Sequence, residues 1–200
     1  MTIEVFASAA TAFARLVRAL PTFEGPGLGD WDLRALVGHA SRSLVTVSAY
    51  LQTPAETADL ADAVEYYAAV REHLAGADAA GVTERGVQAG RALGDDPAAE
   101  VDRLVAQALS DLEGVGDPII KVFGGYGIRL GDYLDTRVFE VVVHSLDISR
   151  ATGVPADLPQ DALRSATVLA ASTAVHFGDG ETVLLAMTGR APLPGGFSVV

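Results

Sequence analysis

Apolar residues recur along much of the chain at the three-to-four-residue spacing of a single helix face. Residues 3–20 show this pattern, and Pro21 ends it at the start of a glycine-rich loop. A second apolar stretch follows Asp32 and stops at Pro54, which makes Asp32 a candidate N-terminal cap. We therefore predict one helix on each side of the loop.

Helical spacing continues through the middle of the chain. A third helical segment is predicted at about residues 58–75, with residues 83–93 as its candidate extension. Asp96 and Pro97 then suit the cap and the first position of another helix, because proline fits where no backbone N–H is needed. The first half of the chain is thus predicted to be helical.

Two adjacent glycines interrupt this pattern. Gly124 and Gly125 lie between the apolar runs 119–123 and 126–130. Short apolar runs that flank a glycine turn are typical of a β-hairpin. We predict a small hairpin here.

The last third of the chain returns to helical spacing. Asp132 is predicted to cap a long helix over residues 133–151, and Pro159 is predicted to open another that ends near residue 177. Residues 197–200 form an apolar segment that could be a strand. The predicted fold is therefore mainly α, with a small C-terminal α/β appendage.

Charge and hydropathy argue against two classes of partner. The net charge is −12, and no stretch gathers the lysine and arginine residues that nucleic-acid binding requires. No window reaches the roughly 18 uninterrupted apolar residues of a membrane span, and Glu4 stands where a signal peptide would be basic. We expect a cytoplasmic protein that binds neither nucleic acid nor membrane.

The chain contains no cysteine. This excludes disulfides, thiolate metal sites and a protein-borne sulfur nucleophile. Any thiol chemistry would have to use a thiol from another molecule.

The predicted 133–151 helix carries a narrow ionisable stripe between apolar flanks. At about 100° per residue, one line along this helix collects Tyr133, Arg137, Glu140, His144 and Asp147. Apolar neighbours indicate that the stripe is buried, and burying an isolated charge costs several kcal/mol unless it is paired or bound to metal. The stripe therefore predicts ion pairs or a metal ion.

A metal site is one of two interpretations of this stripe. Glu140 and His144 project from adjacent turns and could chelate one ion, with His39 of the second helix as third ligand. Two imidazoles and one carboxylate with an open position are typical of catalytic zinc sites. The alternative is an ordinary contact between neighbouring turns of a surface helix, worth ~0.2–0.5 kcal/mol.

Two segments carry a resemblance to a known family. Gly29–Ala40 resembles the "W-[ST/D]-x-x-[DA]-L-V-x-H" helix of the DinB-like, mycothiol-dependent maleylpyruvate isomerase family, and Tyr133–Ile148 resembles its "R-x-x-E-x-x-x-H-x-x-D" motif. The resemblance extends over about residues 3–153. It implies a DinB-like four-helix bundle over residues 1–153, with a C-terminal helix and tail, residues 154–200, packing on it.

The resemblance also implies a chemistry. Its metal ligands map onto His39, Glu140 and His144, with zinc as the expected divalent metal and mycothiol as the expected thiol cosubstrate. The implied function is activation of this thiol for transfer to, or isomerisation of, a small electrophilic substrate. Two alternatives stay open: a non-catalytic small-molecule-binding module, and a metal-dependent hydrolase that uses bound water.

Five further residues are candidates around this site. Asp147 and Ser43 would support the ligands, although Asp147 could instead pair with an arginine or a helix end. Arg137, Arg190 and Tyr50 are candidates for contacting substrate or thiol. The simpler alternatives are a salt bridge within its own helix for Arg137 and a surface position for Arg190. The protein is expected to be a monomer or a homodimer.

Overall fold

The computed structural model describes residues 2–74 and 79–200, and the chain is mainly helical as the sequence predicts. Its helices and strands are, in chain order, α1 (Thr2–Ala19), α2 (Leu33–Leu51), α3 (Ala63–Leu74), α4 (Ala79–Ala92), α5 (Pro97–Asp111), β1 (Ile119–Lys121), β2 (Gly127–Arg129), α6 (Leu130–Thr152), α7 (Gln160–His176) and α8 (Gly180–Met187).

Four helices form the central bundle. α1 and α2 each contact both α5 and α6. The side chains that they bury between them are large and apolar, and include Phe6, Phe13, Leu36, Leu44, Val101, Leu134 and Ile148. Burial of such side chains stabilises the fold by about 1.5–3 kcal/mol each. The arrangement is the DinB-like helical fold expected from the two motifs.

Both predicted aspartate caps at the starts of α2 and α5 are confirmed. The Asp32 side chain accepts a hydrogen bond from the Ala35 backbone N–H at 2.7 Å. Asp96 accepts one from Ala99 at 3.1 Å, and Pro97 is the first residue of α5. These bonds satisfy N–H groups that have no partner within the helix.

The predicted hairpin is also confirmed. Strands β1 and β2 pair antiparallel, with Ile120 opposite Ile128 in the buried face. The turn between them contains Gly124 at a φ of 63°, a left-handed conformation that favours glycine. The hairpin leads directly into α6.

The start of α6 differs from the prediction. The helix begins at Leu130 rather than after Asp132, so Asp132 lies inside the first turn and is not the cap. The reason is the hairpin: the Leu130 N–H bonds to a carbonyl that precedes β1, and the Gly131 N–H bonds to the Asp117 side chain at 2.8 Å. These external bonds satisfy the N–H groups of Leu130 and Gly131, so the helix can begin two residues before Asp132.

Residues 83–93 do not extend the third helix. They lie mostly in α4, which packs against α2, whereas α3 packs against α6 and α7. The third helix itself starts at Ala63, later than predicted, because Asp62 caps it by accepting from the Val64 N–H at 2.8 Å. Its predicted last residue, 75, lies outside the described residues.

Two glycines let α2 and α4 approach closely. A Cβ atom added at Gly38 would lie 2.2 Å from the backbone nitrogen of Gly90, and one added at Gly90 would lie 2.8 Å from the Arg34 carbonyl oxygen. Both neighbours are backbone atoms, which cannot rotate away. The contact fixes the helix turn that carries His39.

We expect Gly38→Ala to destabilise the protein by about 1–3 kcal/mol, the usual cost of overfilling a packed contact. Gly81→Ala is the matched control within α4, because among the described side chains its added Cβ would meet the Arg85 guanidinium alone, at an ordinary 3.6 Å. The measurement is urea unfolding of both variants. Equal stability of the two would contradict the close helix contact.

The C-terminal part of the chain is helical and lacks the predicted strand. α7 packs against α6, α1 and α3, and α8 packs against α7. The Phe197 N–H bonds to Pro194 within a turn at 3.1 Å, and residues 197–200 pair with no strand in the described ranges. None of the helices in those ranges has the length and apolarity of a membrane span.

Candidate metal centre

His39, Glu140 and His144 meet where α2 packs against α6. Each contributes one potential ligand atom, and these atoms all lie within 4.8 Å of one another. All three side chains are partly buried. Chain segments that are distant in sequence therefore form a cluster with the donor set expected for a divalent ion.

The two candidate ligands on α6, Glu140 and His144, face each other across one helical turn. His144 Nε2 lies 3.3 Å from Glu140 Oε2. The His39 ring comes from α2 and meets the His144 ring edge to face, with centroids 4.9 Å apart. One small volume is thus bordered by two imidazoles and a carboxylate.

Two of the three side chains are held by hydrogen bonds outside the cluster. His144 Nδ1 lies 3.1 Å from Asp147 Oδ2, which leaves Nε2 on the side of Glu140. Tyr67 donates its hydroxyl proton to Glu140 Oε1 at 2.8 Å. Partners of this kind orient metal ligands and fix the histidine tautomer.

His39 is positioned by an aromatic ring instead. The Trp31 ring lies against it with centroids 4.4 Å apart, and the Trp31 indole N–H bonds to the Thr83 carbonyl at 3.0 Å. Gly86 of α4 leaves room for the indole, since a Cβ there would lie 2.5 Å from it. The His39 Nδ1 atom is buried and has no hydrogen-bond partner among the described residues. A buried histidine nitrogen that makes no hydrogen bond is consistent with a metal ligand.

The pKa values of the three groups are shifted far apart. Burial opposes ionisation of Glu140, but the His144 hydrogen bond and the charge of Arg137 bring its pKa down to about 2. Burial also opposes the charge of His144, yet its bonds to Asp147 and Glu140 raise its pKa to about 9. Burial and the nearby His144 lower the pKa of His39 to about 4. Without metal at neutral pH, the cluster holds a carboxylate, an imidazolium and a neutral imidazole.

Arg137 lies buried one turn before Glu140 and makes neither of the salt bridges considered as its alternative. Its guanidinium bonds to the Thr136 and Tyr66 hydroxyls at 3.0 and 3.1 Å and lies over the Tyr133 ring at 4.9 Å. No carboxylate among the described residues lies within 4.0 Å of it. A buried cation without a close anionic partner is suited to bind an anion.

Tyr50, Ser43 and Arg190, the other predicted site residues, differ in their surroundings. Tyr50 packs edge to face on Tyr133 with centroids 5.5 Å apart, so it belongs to the aromatic group around Arg137. Ser43 is buried on α2, one turn after His39. Arg190 is exposed and donates to the Thr188 carbonyl in its own loop at 2.8 Å, and no contact of the described residues joins it to the cluster.

Sequence reasoning missed Tyr67 and Trp31 as parts of this centre. Tyr67 lies on the apolar stripe of the third helix, and Trp31 precedes the α2 cap. The position of Tyr67 does not differ in pattern from an ordinary core aromatic. Trp31 is the tryptophan of the first family motif, but the motif alone does not say which side chain its ring contacts. Their contacts with the candidate ligands become visible only from the packing of α3 on α6 and of α4 beside Trp31.

A comparison with protein families places the site in a known context. Residues 6–149 match the family model described as the mycothiol maleylpyruvate isomerase N-terminal domain, and this range includes all three residues of the cluster. Comparisons with curated proteins and with solved structures give no significant match. Because the match covers well over half of the chain, the chain belongs to the mycothiol maleylpyruvate isomerase N-terminal domain family.

Proposed function

We propose that the protein binds one divalent metal ion, zinc in the first instance, through His39, Glu140 and His144. With it, the protein activates a low-molecular-weight thiol, mycothiol, for transfer to or isomerisation of a small electrophilic substrate. The observation that carries this proposal is the convergence of three donor atoms within 4.8 Å in a member of a mycothiol-related family. The absence of cysteine agrees with the use of an external thiol.

The residues of the chain prepare the site for this role. A divalent ion bound there would favour a thiolate over a thiol at neutral pH. Asp147 holds the Nδ1 side of His144, so the Nε2 lone pair stays available when the ring is neutral. Glu140 contributes a negative charge that offsets the charge of the ion, because its lowered pKa keeps it ionised.

Arg137 would bind the anionic part of the thiol or the substrate. Its pKa stays above the usual value although burial opposes its charge, because Tyr133, Tyr66 and Glu140 lie nearby. It therefore remains a cation under all physiological conditions. Tyr50 extends the same aromatic group and would contact the substrate with its ring. Arg190 could contribute only if its loop moved toward the cluster.

A two-stage titration tests the proposal. Trp31 is the only tryptophan and stacks on His39, so Co²⁺ added to metal-free protein should quench its fluorescence at one equivalent. Metal-loaded protein is then incubated with mycothiol and a panel of electrophiles, and the loss of free thiol or the isomerised product is measured. Saturable turnover that depends on both metal and thiol is the expected result.

The other outcomes distinguish the alternatives. Turnover that needs metal but no thiol would indicate hydrolysis, and ligand binding without turnover would indicate a binding module. Either result would overturn the proposed thiol chemistry while leaving the metal site in place. Failure of Co²⁺ to quench Trp31 or to bind at one equivalent would contradict the metal site itself.

A further inference from the structure

We propose that Tyr67 is a positioning residue for the metal centre, which acts by holding the Glu140 carboxylate in the orientation that binds the ion. This inference rests on the proposed metal site. Tyr67 lies on α3, a helix that supplies none of the three ligands. It would extend the functional centre beyond α2 and α6.

The Tyr67 hydroxyl has two acceptors within reach but one proton. Glu140 Oε1 lies 2.8 Å away, whereas the Thr136 carbonyl oxygen lies at 3.3 Å. A carboxylate is the stronger acceptor, and the shorter distance agrees with a charge-assisted bond. The proton is therefore directed at Glu140.

The two carboxylate oxygens of Glu140 have different partners. Oε1 is held by Tyr67, while Oε2 lies 3.3 Å from His144 Nε2, on the side of the cluster. A glutamate side chain has several rotatable bonds, so ordering it costs conformational entropy. If Tyr67 already holds the side chain, this cost is not added to the free energy of metal binding. Tyr67 therefore preorganises the carboxylate before the ion arrives.

Tyr67 is itself well fixed. Only 4% of its surface is exposed, and its ring packs edge to face on Phe139 and Tyr66 at centroid distances of 5.3 and 5.6 Å. Because these ring contacts do not involve the hydroxyl, removing the hydroxyl should leave the packing in place. Tyr67→Phe therefore isolates the bond to Glu140.

The same pattern holds at the other ligands. Asp147 supports His144, and the Trp31 ring supports His39. Each ligand thus has one support that lies outside the cluster. Tyr67 completes the set for Glu140, which has the most flexible side chain of the three.

The first test compares metal affinity in Tyr67→Phe and Tyr133→Phe. Tyr133 is the matched control: it is fully buried and donates its hydroxyl to Thr46 at 2.7 Å, away from the ligands. Competition with a chelator measures zinc affinity, and the visible spectrum of the Co²⁺ form reports ligand geometry. We expect Tyr67→Phe to weaken zinc binding about 10- to 100-fold and to alter the Co²⁺ spectrum. Tyr133→Phe should leave both unchanged.

A double-mutant cycle with Glu140→Asp provides the second test. The shorter aspartate withdraws the carboxylate from the Tyr67 hydroxyl while the tyrosine stays in place. Glu140→Asp alone should weaken zinc binding, and Tyr67→Phe should then have little further effect. Circular dichroism of the metal-free variants checks that each is folded. Should Tyr67→Phe fail to fold, proton NMR of the unmodified metal-free protein tests the bond instead, because a buried Tyr67 hydroxyl bonded to a carboxylate should give a slowly exchanging low-field signal that Glu140→Asp removes. Absence of that signal in the unmodified protein would then overturn the inference.

Three results would overturn the inference. They are unchanged zinc affinity in Tyr67→Phe, equal losses in Tyr67→Phe and Tyr133→Phe, and a full loss from Tyr67→Phe in the Glu140→Asp background. In each case the unmodified protein still binds zinc, so the proposed metal site stands. If the unmodified protein binds no zinc, the metal site and the role of Tyr67 both fail.

Discussion

Glu140→Gln is expected to abolish metal retention and to lower the free energy of unfolding of the metal-free protein by about 3–5 kcal/mol. Glu140 acts on two buried cations. It shares the His144 imidazolium with Asp147, at 3.3 and 3.1 Å respectively, and its charge also stabilises the Arg137 guanidinium, which has no carboxylate within 4.0 Å among the described residues. Removing one partner of a buried ion pair leaves the other charge uncompensated. Chelator-treated protein unfolded in urea measures the stability, and elemental analysis measures the metal.

The control for this substitution is Glu56→Gln. Glu56 is an exposed acid in the loop between α2 and α3, so its neutralisation should change stability by less than about 0.5 kcal/mol. Similar behaviour of the two variants would show that Glu140 does not compensate buried charge. Retention of stoichiometric metal in Glu140→Gln would argue against its role as a ligand.

Metal affinity is expected to rise about tenfold per pH unit from near neutral pH up to about pH 9. The cause is His144, whose pKa is raised to about 9 by its bonds to Asp147 and Glu140, in spite of its burial. Its imidazolium must lose a proton before it can bind an ion, so binding at pH 7 should release about one proton per ion. His39, with a pKa lowered to about 4 by burial and by His144, is already neutral there.

Calorimetric titration in two buffers with different ionisation enthalpies measures the released protons. The release should fall to zero above about pH 10 and should disappear in His144→Ala, whatever residual affinity that variant retains. Metal binding at pH 7 without proton release would mean that His144 is either neutral beforehand or not a ligand.

The same pKa shifts determine how the metal-free protein responds to pH. Because the pKa of His144 is raised in the folded protein, its stabilisation is complete below the ordinary histidine value of 6.5 and is lost as the pH rises through about 9. A lowered pKa means that the contribution of His39 is complete above 6.5 and is lost as the pH falls toward 4. These two groups together favour greatest stability near pH 6.5.

Much of the fold could be predicted from local sequence. The aspartate caps at Asp32 and Asp96 and the glycine hairpin are determined by neighbouring residues, and they lie where the sequence places them. The prediction that Asp132 caps α6 was wrong, because the Pro118 carbonyl and the Asp117 side chain accept hydrogen bonds from Leu130 and Gly131 and the helix starts there. Long-range hydrogen bonds of this kind leave no periodic signal.

In the candidate site, too, some residues could be predicted from the local sequence and others only from long-range packing. His39, Glu140 and His144 could be selected from helical spacing and motif resemblance, and the structure brings them within 4.8 Å of one another. The contacts of Tyr67 with Glu140 and of Trp31 with His39 could not be predicted, although Trp31 belongs to the first motif, because the sequence does not show which side chains an aromatic ring will meet. Their functions depend on which helices pack together.

The central claim is that one divalent ion lies among His39, Glu140 and His144. The most direct measurement is anomalous diffraction, at the zinc absorption edge, from crystals of the zinc-loaded protein. The account predicts a single strong peak about 2.0–2.2 Å from one nitrogen of each imidazole and from one Glu140 oxygen. A fully loaded crystal with no peak there, or with its only peak on surface carboxylates, would contradict it.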